Sequence, residues 1–150
     1  PMEKVLPLIY DRYETHYQGY TIRKLCQEMH DFYKERHVST LQQHLFQKKY
    51  FPAYAMSPID AESEYIRGHG ELIDLEQAEG RIALEGALPY PPGILCIHPG
   101  EVWTQTAVDY FRALVEGINQ LPGFAPELQG VYVEDGDDDK KHAYGYVLRK

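Results

Sequence analysis

The segment Leu88-Pro89-Tyr90-Pro91-Pro92-Gly93 constrains the fold of this chain more than any other feature of its sequence. Its three prolines lack the backbone N–H that helices and sheet ladders use, and each proline ring fixes its own φ angle. The segment is therefore predicted to be a stiff extended loop, and neither a helix nor a central strand. Two roles fit such a loop equally well, which are one wall of a binding pocket and a plain rigid connector between strands. In the first role Tyr90 supplies a polar tip and Gly93 a close approach of the backbone to a ligand.

The sequence before this loop is predicted to form helices. Residues 3–17 carry a first apolar pattern, and Thr21 is a suitable N-cap for a second helix. A third helix is predicted from Ser39, which has Gln42 at the capping-box spacing, and Ser57-Pro58 indicates the start of a fourth. The second helix has apolar residues at helical spacing, which indicates a face directed to the core. These residues are Ile22, Leu25, Cys26, Met29, Phe32 and Tyr33.

The remainder of the sequence is predicted to form a small sheet and one long amphipathic helix. In chain order the segments are extended runs at 72–75, 81–85 and 94–97 (the last a buried strand), a helix at 102–121, and a hairpin of 130–133 and 143–148. Helices followed by strands, a helix and a hairpin are typical of an α+β fold with a mostly antiparallel sheet. A length of 150 residues suits a single domain, 1–150.

Composition excludes several classes of partner and site. Lys plus Arg is 15 and Asp plus Glu is 23, so the formal net charge is −8, and nucleic acid and anionic membranes are not expected as partners. Cys26 and Cys96 form no disulfide framework and are both predicted to be buried small hydrophobes, which indicates a reducing, cytoplasmic location. His30, His37 and His44 lack the spacing of a metal site, so no metal is expected.

Three carboxylates flank the proline loop and invite a catalytic interpretation. Glu79, Glu85 and Glu101 could include an acid pair of the kind that hydrolyses glycosides. A simpler role for Glu101 is to anchor the start of the long helix, where the helix dipole favours negative charge. The acidic run 134–139 lacks the ligand pattern of a calcium loop and is predicted to be a solvated hairpin tip.

The run 85–93, followed closely by Pro99-Gly100-Glu101-Val102-Trp103, resembles the C-terminal domain of the bacterial ornithine/lysine/arginine decarboxylases. The resemblance covers residues 20–150. Within that family, the stretches 25–33, 79–83 and 121–132 are similar to the ornithine decarboxylases, and so is the Glu-Gly-Ala sequence before the proline loop. The resemblance implies a piece of a longer enzyme that converts ornithine to putrescine and CO₂ with pyridoxal phosphate on a separate fold type I domain.

The resemblance also implies how this domain is placed in such an enzyme and which domain holds the catalytic residues. This domain would pack beside the pyridoxal phosphate domains and border the approach to the active site, and the whole enzyme would be a homodimer or a higher homo-oligomer. None of the eight lysines lies in the Ser-x-His-Lys context of the family, so no catalytic residue and no cofactor are expected in this chain. The residues expected nearest the approach are Glu85, Pro89, Tyr90, Pro91, Pro92 and Gly93.

Two other interpretations stand beside this one. The chain could be a free-standing interaction or regulatory protein that descends from the same domain. It could also be an independent hydrolase that uses Glu79, Glu85 and Glu101, in which case the chain alone would be active.

Overall fold

The computed structural model describes residues 1–150 and confirms the α+β class, with helices before a small antiparallel sheet. A long helix precedes the predicted C-terminal hairpin. The helices are α1 Met2–Val5, α2 Pro7–Arg12, α3 Glu14–Tyr17, α4 Ile22–Glu35, α5 Val38–Leu45, α6 Pro58–Ile66 and α7 Gln105–Gln120. The strands are β1 Gly70–Asp74, β2 Leu88–Tyr90, β3 Glu127–Gln129, β4 Tyr132–Asp135 and β5 Lys141–Leu148.

The predicted first helix is broken into the three short helices α1, α2 and α3. Leu6 leaves the helical region with φ −129° and ψ 58°, because a residue that precedes proline is pushed out of it. Pro7 then occupies the first position of α2, where its missing N–H costs no hydrogen bond. Tyr13, with φ −127° and ψ 35°, makes the second break.

The second helix begins as predicted, and its neighbour does not. Thr21 Oγ1 accepts a 3.1 Å hydrogen bond from the N–H of Lys24, which confirms Thr21 as the N-cap of α4. The prediction of a capping box at Ser39 is wrong, because α5 already begins at Val38. His37 adopts a left-handed conformation with φ 54°, which turns the chain directly from α4 into α5.

Helix α4 buries less of its apolar face than the spacing indicates. Leu25 is its only fully buried residue, and Met29, Phe32 and Tyr33 are half-buried. The prediction that Cys26 is buried is therefore wrong, because its side chain is exposed. The N-cap predicted for the fourth helix is confirmed, because Ser57 Oγ accepts a hydrogen bond from the N–H of Asp60 at the start of α6.

The long helix is confirmed, but it begins three residues later than predicted. Thr104 Oγ1 caps α7 by accepting a 3.2 Å hydrogen bond from the N–H of Ala107. The preceding residues are extended, because Val102 pairs with Ile82 and donates its N–H to the carbonyl of Ala53. Trp103, which is 2% exposed, packs edge to face on Phe111 of α7 and fixes this junction.

Two separate antiparallel sheets form. The three-stranded sheet has the order β1-β5-β4, and β4 and β5 form the predicted hairpin. In the second sheet β2 pairs with β3, so the first half of the proline segment is an edge strand and the second half is a turn. The prediction of a buried strand at 94–97 is wrong, because only Ile97 pairs, with Ala87, while Ile94 is 52% exposed.

The apolar side chains form two clusters. The larger cluster contains 17 buried residues, and α7 supplies its largest share. The smaller cluster joins the first helices to the end of α7 and consists of Met2, Tyr17, Leu25 and Leu121. No helix of the chain is both long and apolar enough to cross a membrane.

Candidate functional site

The proline loop is closed on itself by a short backbone turn. The N–H of Gly93 donates a 3.0 Å hydrogen bond to the carbonyl of Pro89, and Gly93 has a φ angle of 77° that favours glycine. A Cβ on Gly93 would lie 3.0 Å from a ring carbon of Tyr90, so the tyrosine ring covers this glycine closely. The Tyr90–Pro91 and Pro91–Pro92 peptide bonds are both cis.

Hydrogen bonds at the base hold this loop in place. The N–H of Ala87 donates a 2.9 Å hydrogen bond to the carbonyl of Ile97, and the N–H of Cys96 donates a 2.8 Å hydrogen bond to the carbonyl of Ala87. Gly130, with φ 70°, packs so closely that a Cβ there would overlap the carbonyl oxygen of Gly86. The loop is therefore anchored at both ends, and Tyr90 at its tip is 55% exposed.

One side of the loop forms a wall of an open groove of about 370 Å³. Pro89 and Pro92 line the groove together with Ile94, and helix α5 supplies the opposite wall. Tyr90 and Gly93 do not line it, so the groove lacks the polar tip that the sequence suggested. The remaining lining residues are Ser39, Gln42, Gln43, Leu45, Phe46, Cys96 and Tyr110.

The thiol at the bottom of this groove is unreactive. Cys96 is 8% exposed, as predicted, and burial raises the pKa of its thiol to about 11. The thiol is therefore protonated at neutral pH, and a thiol rather than a thiolate is a poor nucleophile.

Glu85, just before the loop, lies in a group of tyrosines. Tyr132 donates a 2.7 Å hydrogen bond from its hydroxyl to Oε2 of Glu85. Tyr146 packs edge to face against Tyr132, with ring centroids 5.5 Å apart, and against Tyr65, at 5.2 Å. The hydrogen bond to Glu85 raises the pKa of Tyr132, and the charge of Glu85 raises the pKa of Tyr65. We call Glu85, Tyr65, Tyr132 and Tyr146 the tyrosine cluster.

The other two carboxylates have different surroundings. Glu79 is exposed and makes no ion pair or side-chain hydrogen bond. Glu101 is 5% exposed, and its Oε2 accepts a 2.7 Å hydrogen bond from the N–H of His98. The prediction that Glu101 anchors the start of the long helix is wrong, because Thr104 caps that helix and Glu101 closes the preceding turn.

The chain's own residues do not fit pyridoxal phosphate. Seven of the eight lysines are exposed, and the half-buried one, Lys141, is paired with Asp135 at 2.7 Å. Lys140 and Lys141 border a cleft of about 450 Å³, but four carboxylates share that cleft and disfavour a phosphate group. Those carboxylates belong to Asp74, Glu76, Glu116 and Asp138.

The sequence did not single out the three tyrosines of the cluster as functional residues. The sequence patterns predict Tyr132 and Tyr146 as strand residues of the hairpin and Tyr65 as a residue of the fourth helix. The available signal was the abundance of tyrosine, with 13 such residues against one tryptophan and five phenylalanines. No group of three or more His, Cys, Asp or Glu side chains could hold a metal ion.

The proline loop, its flanking residues and the fold belong together in one known domain. Residues 39–149 match the family model "Orn/Lys/Arg decarboxylase, C-terminal domain", and the chain belongs to this family. Over 149 residues it is 55% identical to the inducible ornithine decarboxylase of Escherichia coli K12, a match that covers 99% of the chain and 20% of the relative. It is 31% identical over 139 residues to the lysine decarboxylase LdcA of Pseudomonas aeruginosa, a match that covers 91% of this chain and 18% of the relative.

The fold agrees with a solved relative along its whole length. The structure of lysine decarboxylase A from Pseudomonas aeruginosa superposes with a TM-score of 0.89 at 28% identity, over 99% of this chain and 20% of that one. The chain therefore spans about a fifth of the length of the relatives that it matches.

Proposed function

We propose that this chain works as the C-terminal domain of a pyridoxal phosphate-dependent ornithine decarboxylase, which releases CO₂ from ornithine and forms putrescine. The observation that carries the proposal is the difference between two identities. The chain shares 55% with an ornithine decarboxylase and 31% with a lysine decarboxylase over nearly the same residues. In this proposal the cofactor lies on other domains, because the lysines of this chain are exposed or paired.

The partners of this domain are then the remaining domains of the same enzyme and further copies of it in a homo-oligomer. The length of the relatives supports the first partner, since about four fifths of each lies outside the matched region. The cytoplasm is the proposed location, because Cys26 is exposed and Cys96 buried, and both are free thiols of the kind a reducing compartment maintains.

The proline loop is proposed to border the approach to the active site. Its support is the anchoring at Ala87 and Gly130, which presents Tyr90 on a rigid tip, and the carboxylate of Glu85 beside it. Ornithine and putrescine both carry ammonium groups at neutral pH, so a carboxylate near the approach would favour their entry over that of anions.

The experiment that tests the proposed activity uses the native polypeptide that carries this sequence, purified with pyridoxal phosphate. Release of CO₂ is measured with ornithine, lysine and arginine at equal concentrations. We expect the highest kcat/KM with ornithine. A higher kcat/KM with lysine would overturn the proposal that ornithine is the substrate. No release of CO₂ from any of the three amino acids would favour a free-standing interaction protein.

The role of the loop is tested in the same enzyme with the double variant Glu85→Ala/Tyr90→Ala. We expect kcat/KM for ornithine to fall several-fold, because the loss of a nearby charge slows the encounter with a cation. Glu79→Ala is the matched control, because it removes a carboxylate of the same charge that lies outside the loop. Equal kcat/KM values for the wild type and the double variant would overturn the role of the loop.

A further inference from the structure

Glu85 is a half-buried carboxylate without a cation. No nitrogen of Lys, Arg, His or the N-terminus lies within 4.0 Å of its oxygens. Its Oε2 accepts the hydroxyl of Tyr132, and Oε1 has no partner within the chain. A carboxylate that has lost part of its hydration and has no counter-charge gains from binding a cation more than an exposed carboxylate does.

The tyrosine that binds this carboxylate belongs to a row of three packed rings from different elements. Tyr65 comes from α6, Tyr132 from β4 and Tyr146 from β5. Both outer rings stand nearly perpendicular to the ring of Tyr146, at interplanar angles of 90° and 87°. Tyr65 and Tyr132 are each 37% exposed, so a ligand can reach them from solvent.

This combination matches the chemistry of organic cations. Ring faces attract a cation through their negative quadrupole, and a carboxylate supplies the compensating charge. Gly70 lies beside two of the rings, because a Cβ there would be 3.6 Å from Tyr146 and 3.7 Å from Tyr65. No cationic side chain of this chain stacks on these three rings, although such stacking occurs at Tyr13, Tyr20, Phe32 and Tyr50.

We propose that the tyrosine cluster is a binding site for one ammonium group of a free aliphatic diamine. Oε1 of Glu85 accepts hydrogen bonds from the ammonium group, the hydroxyl of Tyr132 holds the carboxylate in position, and the rings flank the cation. The alkyl chain of the diamine extends over the exposed ring surfaces. The assignment deepens the proposed function by naming the group that the domain holds, since ornithine carries the same ammonium group and putrescine is a diamine.

The test measures binding directly and without turnover, so that its failure is distinct from a failure of the proposed activity. The native polypeptide is titrated with 1,4-diaminobutane at constant ionic strength, and the tyrosine absorbance difference spectrum and the NMR signals of the tyrosine rings are recorded. We expect saturable binding with a Kd in the millimolar range, as suits one exposed charge-assisted contact. The neutral 1,4-butanediol, which has the same chain, should give no saturable change.

The decisive variant is Glu85→Gln, which keeps the size and the hydrogen-bond acceptor for Tyr132 but removes the charge. We expect its Kd to be about tenfold weaker, because charge-assisted hydrogen bonds are about twice as strong as neutral ones and the Coulomb attraction is also lost. Glu79→Gln changes the net charge by the same amount, from −8 to about −7, and should leave the Kd unchanged. Equal weakening in both variants would assign the binding to the overall charge of −8 and overturn the site.

A further arm separates the free diamine from a lysine side chain of another polypeptide. Acetyl-lysine-amide carries the same alkylammonium group with peptide bonds at its other end. We expect it to bind more weakly than 1,4-diaminobutane. Tighter binding of acetyl-lysine-amide would overturn the free diamine as the ligand, and no saturable binding of either compound would overturn the site.

Discussion

The carboxylate of Glu101 and the backbone N–H of His98 form a 2.7 Å hydrogen bond inside the turn that precedes the long helix. Glu101 is the only charged residue among the 30 buried residues of the chain. The backbone of Glu101 also serves this turn, because its carbonyl accepts the N–H of Ala83 at 2.8 Å. The side chain and the backbone of one residue thus join the turn to the extended segment that leads to the proline loop.

Glu101→Ala is expected to lower the free energy of unfolding by about 2 kcal/mol, because a charge-assisted hydrogen bond is lost and the N–H of His98 is left without its partner. Chemical denaturation of the native protein measures the change. Glu79→Ala removes an exposed carboxylate and should change the free energy by less than about 0.5 kcal/mol. Equal changes in the two variants would contradict a structural role for Glu101.

Gly130→Ala is expected to destabilise the protein by about 3 kcal/mol or more, since a Cβ there would overlap the carbonyl oxygen of Gly86 in a backbone that cannot yield. Gly80→Ala is the matched control. Gly80 has nearly the same φ angle, 75° against 70°, but nothing lies within 4 Å of its Cβ position. It should cost only about 1 to 2 kcal/mol for the left-handed conformation. The difference between the thermal unfolding midpoints of Gly130→Ala and Gly80→Ala measures the effect of the contact with Gly86. Equal midpoints would show that the base of the loop is not tightly packed.

The hydrogen bond between Asp138 and His142 at the hairpin tip should be visible in a pH titration. The pKa of His142 is raised above 6.5, chiefly by its hydrogen bond to Asp138, and the pKa of Asp138 is lowered below 3.8, chiefly by the same bond. Protonated His142 contributes its full stabilisation below pH 6.5, and this contribution is lost as the pH rises through the pKa of His142 in the folded state. Ionised Asp138 contributes its full stabilisation above pH 3.8, and this contribution is lost as the pH falls through the pKa of Asp138 in the folded state.

NMR of the imidazole signals measures the midpoint for His142 directly. Asp138→Asn should return that midpoint towards the ordinary value, because it removes the charge that holds the proton. Asp137→Asn alters a neighbouring carboxylate that makes no bond to His142 and should leave the midpoint raised. A normal midpoint in the wild-type protein would show that the tip does not hold this hydrogen bond in solution.

The two thiols are expected to react at very different rates. Cys26 is exposed, and Cys96 is buried with a thiol pKa raised to about 11. A disulfide reagent added to the folded protein should modify one thiol quickly and the second only after unfolding by denaturant. Cys26→Ser should abolish the fast phase and Cys96→Ser should leave it intact. Two fast thiols in the wild type would contradict the packing of the groove.

Local sequence patterns located the elements whose causes are local. The N-caps Thr21 and Ser57 were correct because a hydroxyl and the N–H three residues later lie in the same turn. The strand predicted at 94–97 is wrong because four apolar residues also suit a loop whose start is exposed and whose end is packed. Whether such a run becomes a strand depends on a partner, and only Ile97 finds one.

The tyrosine cluster depends on contacts that no spacing reveals. Glu85 and Tyr132 are 47 positions apart, and Tyr65 enters from a helix before both of them. The abundance of tyrosine gives no positions, and Glu85 reaches Tyr132 only because the N–H of Leu84 bonds to the carbonyl of Tyr146 at 3.1 Å, beside β4. The proline loop was recognisable because its stiffness is a property of its own residues.

The division of the apolar residues into a large and a small cluster affects how the molecule opens. The first 20 residues are held by the small cluster, whose four buried residues have eight partly buried apolar residues packed on them, and by one long-range side-chain hydrogen bond, from the hydroxyl of Tyr17 to the carbonyl of Pro122 at 2.8 Å. Release of this segment disrupts the small cluster and leaves the 17-residue cluster closed. The amide protons of the first 20 residues should therefore exchange with deuterium well before those of α7. This N-terminal segment can unfold locally while the rest of the molecule remains folded.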